Sequence, residues 1–135
     1  MSQEHERLRR LDRILKVQRQ KRMLEEWRLV HLREERAAID RSTAELIASL
    51  GTESALHGLF IGAQVNGLRR NDVARQSNDH LQAAAEVRIR AARRSEKGVE
   101  KVRGEAAQLS AAEDEASDLR STIEGHLGRA RTSFE

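Results

Sequence analysis

Between Arg7 and Arg22 the chain carries Arg7, Arg9, Arg10, Arg13, Lys16, Arg19, Lys21 and Arg22 against a single acid, Asp12. Guanidinium groups make forked, charge-assisted hydrogen bonds to carboxylates and phosphates alike, so the cluster suits an anionic surface without choosing which one. Three uses are open: a solvated face neutralised by the chain's own acids, docking to an acidic protein, or contact with nucleic acid or an anionic membrane. Nucleic acid is disfavoured, because no aromatic residues interleave with the bases and the net charge of the whole chain is only +3. Trp27, flanked by Leu24, Val30 and His31, is a second candidate, either a seam residue or an interface anchor. A third is Leu59, Phe60 and Ile61, set among Gly51, Gly58, Gly62 and Gly67. These three either pack over a turn or present an apolar tip to a partner.

No catalytic constellation accompanies these groups. His5, His31, His57, His80 and His126 are scattered, and with no cysteine they make no zinc-ligand spacing and no thiol chemistry. The central glycines are followed by no Gly-Lys-Ser or Gly-Lys-Thr and preceded by no strand pattern, so they are not a phosphate loop. Acids are numerous but lie in charged helical surroundings, with no pocket to tune a pKa. The expectation is a non-enzymatic protein with no cofactor and no metal. Met1 to Arg10 is charged, so no secretory signal is read there, and the apolar stretch Leu59–Val65 is too short to be a transmembrane segment.

The elements that must position these residues are helical. Of 135 residues, 38% are hydrophobic and 35% charged, and there is no proline, a composition that suits a single-seam helical structure better than a compact globule. From Arg7 to Leu50 apolar residues recur at intervals of three and four. Leu8, Leu11, Leu15, Leu29, Leu32, Ile39, Leu46 and Leu50 form the stripe, with Gln18, Arg22, Glu25, Arg36 and Thr43 in the same register. A second stripe, Ile14, Val17, Leu24, Trp27 and Val30, lies beside it and would seat a further helix or a partner. The predicted layout is one helical domain over 1–135: a helix over 7–50, a turn or short helix over 51–71, a helix over 72–126 and a frayed tail over 127–135. In the second helix the expected inner face runs through Leu81, Ala84, Val87 and Ala91, then Val102, Leu109, Ala116 and Ile123 with Glu105, Ala112, Leu119 and His126.

Charge blocks give an independent expectation of topology. The basic Arg7–Arg22 block would lie beside Gly104–Leu119, which carries Glu105, Glu113, Asp114, Glu115 and Asp118 and no base. The same reversal sets Arg88 to Arg103 against Glu25, Glu26, Glu34 and Glu35. The predicted fold is therefore all-α, an elongated antiparallel two-helix coiled-coil hairpin with a short apolar, glycine-containing turn or cap.

The run LDRILKVQRQKRMLEEWRLVHLREERAAID, Leu11 to Asp40, resembles the N-terminal helix of the flagellar export protein FliJ family and of the equivalent stalk proteins of injectisome type III secretion. The resemblance implies a central stalk that couples a hexameric export ATPase to the cytoplasmic domain of the export gate. It also implies a role in recycling export chaperones. The place it implies is cytoplasmic, peripheral to the inner-membrane export apparatus through protein partners. Beside it stand two other expectations: a generic coiled-coil adaptor or oligomerisation protein, and a nucleic-acid-associated helical protein.

Overall fold

In the computed structural model the described residues, 3–51 and 57–134, form two long α-helices that pack against each other and, among them, no strand. Helix α1 is Gln3–Leu50 and helix α2 is His57–Phe134. Proline is absent and Arg, Glu, Leu and Ala dominate α1, so nothing interrupts its hydrogen-bond ladder. Glu4 and Glu6 sit in its first turn, where the helix dipole favours negative charge. At its end the Gly51 N–H donates to the Ala48 carbonyl at 3.2 Å, a tighter closing turn.

Helix α2 is longer than the sequence predicts at both ends. Residues 57–71, expected as part of a turn or a separate short helix, are its first four turns, and 127–134, expected as a frayed tail, are helical. The expected turn at 52–56 lies outside the described residues. Glycine costs about 1 kcal/mol in a helix interior, which weakens a helix without ending it, and all the described glycines have negative φ. Gly67 has a packing reason: a Cβ there would stand 3.1 Å from Leu46 Cδ1, so its bare backbone admits the leucine.

The chain divides into two compact units, one made of residues up to Arg19 with those from Arg94 onward, the other of Gln20–Arg93. In the first unit, His5 reaches Asp114 at 3.3 Å, Asp12 accepts from Arg103 at 2.7 Å, and Arg19 lies 3.4 Å from Glu100. Partner numbers fall along α2 as they rise along α1, so the helices are antiparallel. In the second unit the same sense holds, with Glu26 on Arg93, Arg33 on Glu86 and Leu46 on Gly67.

The α1 stripe read from sequence is the inner face. In the first unit Leu15 is buried and Leu8, Leu11 and Gln18 are half-buried; in the second Leu29 is buried, and Arg22, Glu25, Leu32, Arg36, Ile39, Thr43, Leu46 and Leu50 are half-buried. The α2 stripe is corrected. Leu81, Ala84, Val87, Ala91, Leu109, Leu119 and Ile123 are exposed, and of the expected positions only Val102 is half-buried. The inner face instead runs through Asn78, Gln82, Ala85, Ile89 and Ala92 in the second unit and Glu96, Val99, Arg103, Ala106, Ser110 and Glu113 in the first. Two of the buried polar members find partners on α1. Asn78 donates to the Leu32 carbonyl at 2.9 Å and accepts from Gln82 at 2.6 Å, and Glu96 meets Arg19 at 3.5 Å. Burying the expected stripe would have enclosed Arg88 and Glu105. The small Ala85 and Ala106, both fully enclosed, let the backbones approach. Leu29, Ala85 and Ile89, with Leu32 beside them, form the apolar centre of the second unit.

Candidate protein-interaction surfaces

One flank of the α1–α2 contact is zipped by charge. In the second unit Glu26 takes Arg93 at 3.0 Å, and seven residues along α1 Arg33 takes Glu86 at 3.9 Å. The next step of seven would bring Asp40 toward Asp79, two like charges. Arg36 resolves it, contacting Asp40 at 3.3 Å and bonding to Asp79. Glu25 is held between Arg28 and Arg88, each at 2.9 Å. The hydrogen bond from Arg93, aided by Arg22, holds the Glu26 carboxyl below the usual glutamate range. An open groove of about 470 Å³ lies on this side, floored by Leu29, Val30 and Ile89 and rimmed by Glu26, Arg33, Glu86, Arg90 and Arg93.

The N-terminal basic cluster splits by the direction in which each side chain leaves α1. Arg19 is committed to Glu96 and Glu100, Arg22 is half-buried on Glu26 at 3.1 Å, and Arg7 lies 3.9 Å from Glu4 of its own helix. Arg9, Arg10, Arg13 and Lys16 are exposed. Of these, Arg10, Arg13 and Lys16 form no ion pair or hydrogen bond among the described residues. Ile14 and Val17 stand among them, also exposed. Toward the acidic stretch Glu105–Asp118 the structure sets His5, just before the block, on Asp114, while Arg19 finds acids further toward the start of α2. The matching expectation for Glu25 and Glu26 holds, since Arg88 and Arg93 meet them.

In the second unit Trp27 is 60% exposed, with Leu24 and Val30 exposed on either side and the His31 ring edge-on at 4.0 Å. It is not a seam residue: Glu25, Glu26 and Leu29 take the inner positions of that turn. The edge-on His31 ring partly covers the indole, but most of its surface faces outward. Phe60 and Ile61 are exposed near the start of α2, and the Leu59 side chain lies outside what the structure describes. Leu81 and Val87 in the second unit, and Leu109, Leu119 and Ile123 in the first, expected inside, are exposed instead. Their spacing was visible, but their outward direction depended on the pairing partners of Asn78, Glu96 and Arg103.

Among the described residues no group of three or more His, Asp or Glu side chains is placed to hold a metal ion, and no helix is long and apolar enough to cross a membrane. No protein-family model matches the chain, and neither does any curated protein or solved structure.

Proposed function

We propose that the chain is a non-enzymatic, protein-binding stalk of a flagellar or type III export apparatus, coupling the hexameric export ATPase to the cytoplasmic domain of the export gate and assisting chaperone recycling. In this reading α1 and α2 are an antiparallel coiled coil closed by a short turn, held at the membrane through protein partners. The observation that carries it is the unpaired basic face of Arg10, Arg13 and Lys16, with Ile14 and Val17 exposed among them. These bases are not used to hold α1 against α2, so removing them tests binding without unmaking the fold. The Leu11–Asp40 resemblance supplies the partner: an ATPase ring whose lining offers carboxylates.

The test is copurification of the chain with a purified export ATPase and gate domain across a salt series. The triple reversal R10E, R13E and K16E is expected to abolish ring binding while leaving far-UV circular dichroism unchanged. Undiminished binding by the triple variant, or binding indifferent to salt, would overturn the assignment. A second reading, an adaptor that binds another helical protein, is favoured by the exposure of Trp27 beside Leu24 and Val30. Loss of partner binding in Trp27→Ala with the basic face intact would select it.

A further inference from the structure

In the first unit α1 starts beside the last turns of its contact with α2, where His5 meets Asp114. Helix α2 then continues to Phe134. From Ala116 to Ser133 every residue is exposed apart from Ala130, which is half-buried. Yet this stretch is not a polar extension. Leu119, Ile123 and Leu127 are 61%, 50% and 56% exposed and sit four residues apart, one ridge on one side of the helix. Ala116 and Ala130 extend that ridge by one step at either end, each seven residues from Ile123. The apolar pattern is therefore the same read forward or backward about Ile123.

The charges are reversed about almost the same point. Counting outward from Thr122, Arg120 is matched by Glu124 and Glu115 by Arg129. Two copies of the segment laid antiparallel about a two-fold axis would put Leu119 against Leu127, Ala116 against Ala130 and Ile123 against itself. Each of those charges would then lie beside an opposite one. The two centres differ by one residue, which offsets each matched pair by two residues, about 3 Å along the axis, and long side chains span that. A palindrome of apolar residues with sign-reversed charges is the pattern that an isologous contact requires, since each copy must offer both halves of the match.

We propose that residues 116–131 of α2 are a self-association surface, occupied by the same segment of a second copy of this chain in antiparallel, two-fold arrangement. Its few bulky side chains place it at the weak end of specific contacts, below about 1,200 Å² in total, so the dimer depends on concentration and on salt. The proposal does not rest on the stalk reading, which concerns Arg10, Arg13 and Lys16, and it is measured on the isolated chain.

The chain has no cysteine, so single cysteines report without background. Under mild oxidation Ile123→Cys is expected to give a disulfide-linked homodimer. Ala116→Cys mixed with Ala130→Cys is expected to give the mixed dimer, distinguished by mass, and little of either homodimer. Equal linkage of Ala116→Cys to itself would mean parallel or random collision and would overturn the proposal. Sedimentation equilibrium of the cysteine-free chain supplies the second measurement. Arg129→Glu is expected to lower the association constant by about 3- to 10-fold, and adding Glu115→Arg to restore it. A chain that is monomeric at all concentrations, or a charge swap that fails to restore association, would refute it; retained helicity in each variant excludes misfolding as the cause.

Discussion

Gly98 and Gly104 lie inside α2 in the first unit, with helical backbone and with open space where a Cβ would stand. Alanine at either position therefore gains helix propensity and meets nothing. The gain is about 0.5 to 1 kcal/mol per site, mostly from the freedom that glycine retains in the unfolded chain. The two positions share no contact partner, so the double variant is expected to gain about 1 to 2 kcal/mol. For a chain of 135 residues that corresponds to a rise in melting temperature of about 4 to 8 °C. Gly67→Ala is the internal control. Its Cβ would press on Leu46 Cδ1 at 3.1 Å and lie 3.6 Å from Cδ2, so the gain in propensity is offset by displacement of a packed leucine. Thermal and urea denaturation followed by circular dichroism measure all three. A fall in stability for Gly98→Ala or Gly104→Ala would mean that this side of α2 is covered, and the argument from packing would fail.

Two further outcomes test the pairing of the helices. Leu29→Ala, which empties the apolar centre beside Ala85 and Ile89, is expected to cost about 2 to 3 kcal/mol in urea denaturation, and Leu109→Ala to stay within about 0.5 kcal/mol. The reverse ranking would restore the α2 face expected from apolar spacing. Because Arg93 and Arg22 hold the Glu26 carboxyl below its usual range, its contribution to stability is present above the ordinary glutamate pKa and disappears as pH falls through the lowered folded value. Glu26→Gln is therefore expected to flatten the acid limb of stability against pH, modestly because the pair is screened by solvent, and an unaltered limb would remove the carboxylate from that role.

The inner face of α1 was legible because its leucines and the polar residues that interrupt them keep one register. That of α2 was not, for a physical reason. Alanines lie on several of its sides, so apolar spacing does not discriminate among them. The deciding information sits in residues that look unsuited to a seam: Asn78, Glu96 and Arg103 are inside because Leu32, Arg19 and Asp12 await them. The start of α2 was misread because four glycines suggested a reversal, whereas Gly67 serves a close contact within a helix. At the basic cluster, residue type was informative and direction was not. Only the register separates Arg19 and Arg22, which hold acids, from Arg10, Arg13 and Lys16, which do not.

The alternation of sign along the zipped flank makes the second unit resist sliding. Shift α2 by seven residues one way and Glu26 comes against Glu86; shift it the other way and Arg33 comes against Arg93. Either displacement replaces attraction with repulsion and also parts Leu29 from Ala85 and Ile89. Two helices joined by leucines alone could creep past one another under a pull along their axes. With these interlocking teeth, axial tension applied to one helix is passed to its neighbour.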